Sequence, residues 1–275
     1  MIDKIFIILI SKILDPLHQW NYFPIYLSVA AENLIAILRG KLVRFGADKD
    51  GILFAKESNK KLKFSNRRRG FWLYRNGISV REEFIFKSYC LQNIQFKQDD
   101  IVFDCGANSG DLYLKLSKLI SSENYYAFEP NPADYNVLRF NASGAKNLFN
   151  LALGNKDSDL TFYIASSGGD SSLVEPKAYD EKIIVRVARL DSFFIERKIN
   201  SIKLLKLEAE GFEPEILEGL GVMLQNCEYV AVDGGYERWK DSEQTLTTCT
   251  NYLLSNGFEM KDIFFPWCRA LYKRK

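Results

Sequence analysis

The chain has almost no histidine: its 275 residues contain one, His18. Zinc enzymes usually bind their metal through several imidazoles, so the composition argues against a transition-metal centre. It also leaves carboxylates as the candidates for proton transfer near neutral pH. The cysteines share no C-x-x-C spacing, which argues against a zinc site and favours a reduced, cytoplasmic protein. They stand at positions 90, 105, 227, 249 and 268.

The chain also lacks an excess of one charge and a long apolar run. Its net charge of +2 argues against a globally basic nucleic-acid-binding protein. The apolar decapeptide Ile5–Leu14 is too short to span a bilayer and is not followed by the cleavage site of a signal peptide. Hydrophobic residues make up 47% of the chain, which is enough for a packed core.

One stretch of the chain indicates a ligand. The apolar run Ile101–Phe103 predicts a buried strand, and a turn with Gly106 and Gly110 follows it. A phosphate-binding loop would need Lys-Ser/Thr after the glycines, and none is present. Asp104, at the strand end, would repel a pyrophosphate. It suits a ligand with an amine, a sulfonium and hydroxyls, a description that fits S-adenosylmethionine.

A second acid follows a second predicted strand. Glu129 comes directly after the apolar segment Tyr125–Phe128, about one helix and one strand beyond Asp104. A carboxylate at that place can accept hydrogen bonds from both hydroxyls of a ribose. Glu129 is therefore a candidate ribose ligand.

The motifs together resemble the FkbM family of S-adenosylmethionine-dependent methyltransferases. The matching stretches are Val102–Gly110, Ala127–Pro130, Asn150–Gly154 and Leu205–Gly219. The resemblance implies an α/β fold with a Rossmann-like class I methyltransferase sheet, mostly parallel and ending in an antiparallel hairpin. One residue departs from the family pattern: Glu208 stands where the family usually has Asp.

The resemblance also implies how the cofactor would be bound. Asn150 would border the adenine ring at the end of a third strand, predicted for Lys146–Leu153. The next two residues would line the faces of the ring. The full set of predicted cofactor-binding residues is Asp104, Gly106, Asn108, Gly110, Glu129, Pro130, Asn150, Leu151 and Ala152.

The first 77 residues read as an extension, and residues 78–275 as the methyltransferase domain. Apolar stretches predict two amphipathic helices, at Ile5–Leu14 and Ile25–Leu38, and short alternating strands follow them. The helices either pack on the catalytic domain or a second subunit, or contact a membrane surface through residues 1–38. Arg67–Arg69 and the aromatic segment Phe71–Arg75 either bind a glycan or form a solvated charge run beside a buried aromatic strand.

Three acids are candidates for catalysis. The predicted strand Ile202–Leu207 delivers Glu208 and Glu210 to the edge where Asp104 lies, and a fifth strand ends at Asp233. Carboxylates that lie close together raise one another's pKa, which favours Glu208 or Glu210 as general base and leaves Asp233 to orient substrate. Alternatively, these acids cap helices or pair with Lys206 and Arg238. No metal site is predicted.

The favoured function is an O-methyltransferase that acts on a sugar hydroxyl of a cell-surface or secreted glycan, in the cytoplasm or at the inner face of the membrane. Two alternatives are methyl transfer to a small secondary metabolite and a nucleotide-binding Rossmann oxidoreductase. No nucleic-acid partner is expected. A homo-oligomer is one arrangement that the extension would allow.

Overall fold

The computed structural model describes residues 24–165, 171–238 and 243–275. Ile5–Leu14 and His18 lie outside the described residues. The chain divides into two compact units after Phe84, so the first comprises residues 24–84 and the second the described residues from 85 onward. The boundary drawn after residue 77 stays a prediction.

The first unit is a small three-stranded antiparallel sheet with helices. Its elements are α1 (Ile25–Leu38), β1 (Arg44–Ala47), β2 (Leu53–Glu57), β3 (Lys60–Phe64) and α2 (Arg67–Tyr74). Helix α3 (Ile78–Ser88) begins in this unit and ends in the second. The core is aromatic: the ring of Phe71 meets those of Phe45 and Phe64 edge to face, with centroids 5.0 and 5.6 Å away.

The aromatic segment after the arginine run is a helix, so the strand that we expected there was wrong. Asn66 begins the helix, and its Oδ1 accepts a hydrogen bond from the Arg69 N–H at 2.8 Å. A capped first turn of this kind stabilises helix over strand. It places Phe71 and Tyr74, three residues apart, on one buried face.

The second unit is organised by a seven-stranded sheet. In spatial order its strands are β12 (Phe258–Phe264), β13 (Arg269–Arg274), β11 (Cys227–Asp233), β10 (Ile202–Leu207), β4 (Val102–Cys105), β5 (Tyr125–Phe128) and β6 (Asn147–Phe149). The last five are parallel, whereas β13 runs antiparallel to both its neighbours. This confirms the predicted class I methyltransferase sheet with its terminal hairpin.

Helices cover both faces of this sheet. One face packs against α6 (Leu190–Arg197), α7 (Glu213–Leu220) and α8 (Leu246–Ser255). The other packs against α4 (Tyr113–Leu116), α5 (Pro132–Asn141) and the end of α3. Since both faces are covered, the strands are near-continuous apolar runs, which explains why they could be predicted. No helix in the described part of the chain combines the length and apolarity needed to cross a bilayer.

The third strand was predicted as one element and is two. Asn147–Phe149 joins the main sheet, whereas β7 (Ala152–Gly154) pairs with β9 (Glu181–Arg189) in a separate sheet completed by β8 (Ser158–Ile164). A Cβ on Gly219 of α7 would lie 2.0 Å from the Gly154 carbonyl oxygen. The close approach of α7 to β7 therefore depends on a glycine at position 219.

Candidate active site

The turn after β4 is shaped by residues in left-handed conformations. Gly106, Asn108 and Gly110 have φ angles of 74°, 48° and 82°. A Cβ on Gly106 would lie 1.8 Å from the carbonyl oxygen of Glu208, so only glycine lets the turn and the end of β10 approach this closely. The helix that follows, α4, is a single turn that Leu112 begins without a side-chain cap.

Glu129, directly after β5, is held by the turn. Its Oε2 accepts from the Asn108 N–H and its Oε1 from the Asn131 N–H, both at 2.8 Å. Burial raises the pKa of this carboxyl to about 8; the charge of Asp134 adds to the rise and the two N–H donors oppose it. Each oxygen keeps a further lone pair. The carboxylate therefore fits a pair of vicinal ribose hydroxyls.

Asn150 connects the ends of the strands. Its side-chain amide donates to the carbonyl oxygens of Glu129 at 2.8 Å and Pro130 at 3.0 Å. Leu151 is half-buried and Ala152 is buried at the start of β7. Pro130, Asn150, Leu151 and Ala152 follow the ends of β5 and β6. Their contact with an adenine ring stays a prediction.

Asp104 lies beneath the turn and has 1% of its surface exposed. Its Oδ2 accepts from the Tyr125 hydroxyl at 2.6 Å, and its Oδ1 lies 2.9 Å from Lys206 Nζ. The same ammonium donates to the Gly106 carbonyl oxygen at 2.8 Å. Asp104 thus holds the turn through Lys206, and its predicted contact with a bound cofactor stays a prediction.

Two of the three candidate catalytic acids meet at one guanidinium. Arg269 of β13 donates from Nη2 to Glu208 Oε1 at 2.8 Å and from Nε to Asp233 Oδ2 at 2.7 Å. Lys206 Nζ lies 3.1 Å from the other Glu208 oxygen. Burial raises the pKa of Asp233; the Glu208 charge adds to the rise and Arg269 opposes it.

Glu210, the third candidate, adopts a left-handed conformation with φ 49°. Its carboxyl group hydrogen-bonds that of Glu237, and burial raises the Glu237 pKa to about 8 against the effect of this bond. A hydrogen bond between two carboxyl groups needs a proton on one of them, so the two groups ionise as a coupled pair. The Glu210 backbone is held by the Ser172 hydroxyl, which donates to its carbonyl oxygen at 2.6 Å.

A buried carboxylate organises the loop that carries Glu208 and Glu210. Glu213, at the start of α7, accepts from the N–H groups of Ala209 at 2.7 Å and Gly211 at 3.2 Å, and from the Thr245 hydroxyl at 2.9 Å. Burial raises its pKa to about 7, which these donors oppose.

Sequence reasoning missed several members of this site. Lys206 was named as an alternative partner of the acids and does pair with Glu208; Arg238, also named, pairs with Glu215 at 2.6 Å. Arg269 and Glu237 were not identified, because each meets its partners through the fold and not through a spacing. Within residues 24–165, 171–238 and 243–275, no three His, Cys, Asp or Glu side chains are arranged to hold a metal ion.

Comparison with known families decides the class. A family model described as the methyltransferase FkbM domain matches residues 104–260, more than half of the chain. The chain belongs to the FkbM methyltransferase family. It is an enzyme whose cofactor is S-adenosylmethionine. The oxidoreductase alternative is therefore wrong.

Curated FkbM-type relatives are distant. Methyltransferase 1 of Beauveria bassiana is 27% identical over 218 residues, which cover 68% of this chain and 86% of the relative. The 2-O-methyltransferase NoeI of Sinorhizobium fredii is 24% identical over 54% of this chain. The hexuronic acid methyltransferase AglP of Haloferax volcanii is 25% identical over 50%. The chain spans 66% of NoeI and 56% of AglP.

Among solved structures, an FkbM methyltransferase from Methylobacillus flagellatus aligns with this chain. The alignment covers 71% of this chain and 51% of the M. flagellatus chain. The sequence identity is 16% and the TM-score 0.46.

Proposed function

We propose that this FkbM-family enzyme transfers a methyl group from S-adenosylmethionine to a hydroxyl oxygen of a sugar in a cell-surface or secreted glycan. The observation that carries the proposal is the set of acids at the strand ends beside the glycine turn: Glu208, Glu210, Asp233 and Glu237. The names of NoeI, a 2-O-methyltransferase, and AglP, a hexuronic acid methyltransferase, support oxygen transfer and a sugar acceptor.

The residues around the turn would hold the cofactor. Gly106, Asn108 and Gly110 shape the turn, and the two oxygens of Glu129 would accept the ribose hydroxyls through their remaining lone pairs. Asn150 and the residues beside it would border the adenine. When bound, the cofactor supplies a methyl group on a positively charged sulfur, which an oxygen nucleophile displaces in line.

The acceptor hydroxyl must lose its proton as the new bond forms, which requires a base. Both oxygens of Glu208 lie against cations, and Asp233 is bound to Arg269, so these contacts hold both side chains in place to orient a substrate. The Glu210 carboxyl is hydrogen-bonded to that of Glu237, whose pKa is raised to about 8, close to neutrality. We therefore assign proton acceptance to Glu210, tuned by Glu237, and substrate orientation to Glu208 and Asp233.

The acids at this edge suit an acceptor with several hydroxyls. Sugar hydroxyls can donate hydrogen bonds to carboxylates such as those of Glu208, Asp233 and Glu210.

A second candidate acceptor is a small secondary metabolite. This is favoured by one further relative, the 31-O-demethyl-FK506 methyltransferase of Streptomyces tacrolimicus, which is 27% identical over 173 residues. The chain covers 66% of that protein.

Mass spectrometry of surface glycans distinguishes a glycan acceptor from a secondary-metabolite acceptor. Cells that lack this protein should lose a methylated glycan, replaced by one lighter by a single CH₂ unit. The wild-type chain should restore it and Glu210→Gln should not. Unchanged glycans, with a methylated metabolite lost instead, would refute the glycan assignment.

A further inference from the structure

Helix α1 buries two polar residues, Ser28 and Glu32, beside Ile35 and Ala36, and exposes apolar ones. Its only charged residue, Glu32, is fully buried and accepts from Arg75 through both oxygens: 2.9 Å from Nε and 2.6 Å from Nη2. The exposed positions of the helix instead carry large apolar side chains. A helix at an aqueous surface normally shows the reverse arrangement.

The exposed apolar side chains form one stripe. Leu27, Leu34 and Ile37 stand at helical spacing with Ala30 between them, and Tyr26 and Leu42 adjoin them at the two ends. The five large side chains of this set are between 44% and 74% exposed. We call these six residues the docking face. An apolar surface of this kind on a soluble unit marks a site of interaction.

The first unit also carries a charge of its own. Residues 24–84 contain 13 Lys and Arg against 6 Asp and Glu, a formal charge of +7. Residues 85–275 contain 22 against 27, a charge of −5. The modest net charge of the chain therefore conceals a strongly basic first unit. Arg39, Lys41 and Arg44 flank the C-terminal end of the docking face.

We propose that the docking face binds the surface of an anionic lipid bilayer. Helix α1 would lie flat, with its apolar side chains among the acyl chains and the basic residues at the headgroups. Its 14 residues extend about 21 Å, shorter than a hydrocarbon core of about 30 Å, which favours a position along the surface. A second copy is a poorer occupant, because two units of charge +7 repel each other.

Vesicle flotation with the full chain tests this inference. Wild type should float with phosphatidylcholine–phosphatidylglycerol vesicles, bind phosphatidylcholine vesicles weakly, and lose most of its binding in high salt. Leu34→Glu combined with Ile37→Glu should lower the partition coefficient at least about tenfold, because two inserted side chains become charged. The matched control is Ile195→Glu combined with Val222→Glu, in the second unit, where the originals are 71% and 78% exposed. Both variants should still bind S-adenosylhomocysteine, which shows that the second unit is folded, and should keep the wild-type far-UV circular dichroism, which shows that the first unit is folded.

Three results would overturn the inference. The first is that wild type binds neither vesicle. The second is that the Leu34→Glu, Ile37→Glu variant floats as well as wild type, which would assign binding to another segment. The third is that wild type is a dimer that binds no vesicle, whereas the Leu34→Glu, Ile37→Glu variant is a monomer. A second copy of the chain would then be the partner that covers the docking face.

Discussion

Arg269 donates from Nε to Oδ2 of Asp233 at 2.7 Å, and both side chains are buried. The pair joins the last strand of the main sheet to the edge where the candidate catalytic acids lie. The same guanidinium reaches Glu208 and, through Nη1, the Ser88 hydroxyl at 2.6 Å, and it lies 4.2 Å from the centroid of the Tyr89 ring. One side chain therefore fixes the positions of two acids.

Replacing Arg269 should destabilise the fold and disorder the site. Arg269→Gln leaves Asp233 and Glu208 without their shared cation, and breaking a buried pair costs about 3–5 kcal/mol of unfolding free energy. Arg269→Lys keeps the charge but cannot bridge both carboxylates, so it should lie between wild type and Arg269→Gln. Urea unfolding of each variant measures the loss of unfolding free energy. The control is Lys146→Gln, whose partner Glu123 is exposed. Equal losses for the Arg269→Gln and Lys146→Gln variants would show that the network does not stabilise the protein.

Gly106→Ala should abolish cofactor binding. The new methyl group would lie 1.8 Å from the Glu208 carbonyl oxygen and would force the turn and β10 apart. Gly51→Ala is a matched control, because Gly51 has a similar φ of 78° but nothing lies within 4 Å of its Cβ position. The Gly51→Ala variant carries only the strain of a left-handed backbone, about 1–2 kcal/mol. Calorimetry with S-adenosylhomocysteine should detect binding only in the Gly51→Ala variant. Binding by both would mean that the close approach at Gly106 is not needed.

Stability should fall as the pH rises through neutrality. The pKa of Glu213 is about 7 in the folded protein against 4.5 for an ordinary glutamate, and that of Glu129 is raised in the same direction, to about 8. The folded state holds these protons more tightly than the unfolded state does. Their contribution to the free energy of unfolding is therefore complete below pH 4.5 and is lost as the pH rises through 7 and 8. Each proton accounts for about 1.4 kcal/mol per pH unit.

Urea unfolding across this pH range measures the slope. Glu213→Gln should flatten it, since an amide does not titrate. A free energy of unfolding that rises between pH 4.5 and 8 would contradict the raised pKa values.

Glu237→Gln should slow methyl transfer without weakening cofactor binding. The amide would donate a hydrogen bond to Glu210 in place of the shared proton, which lowers the basicity of Glu210. Glu210 remains, so the loss should be smaller than the roughly hundredfold or greater contribution of a general base. The measurement is the pH profile of kcat with the acceptor found by glycan mass spectrometry, with Glu259→Gln at an exposed acid as control. An unchanged profile for Glu237→Gln would remove this pair from the reaction.

The main sheet could be predicted because its strands are short apolar runs buried on both faces. The glycine turn and Glu129 could be located as well, because turn chemistry is local in sequence. Glu208 and Asp233 were expected at one edge because parallel strands end on the same side, and Arg269 joins them there.

What could not be predicted depends on contacts between distant residues. Lys146–Leu153 has one apolar pattern, but its two halves pair with different partners, Asn147–Phe149 with β5 and Ala152–Gly154 with β9. Arg269 and Glu237 become site residues only when β13 and the segment after β11 fold against the loop of Glu208. No spacing in the sequence records either contact.

The central claim is that the carboxyl edge of the sheet, with Glu129 as its ribose ligand, holds S-adenosylmethionine. Calorimetric titration of S-adenosylhomocysteine into wild type and Glu129→Gln tests it most directly. The amide cannot accept from both the Asn108 and Asn131 N–H groups and from ribose, so the Kd should rise at least about tenfold. The exposed Glu123→Gln control should bind as wild type does. Equal affinity in all three proteins would contradict the account.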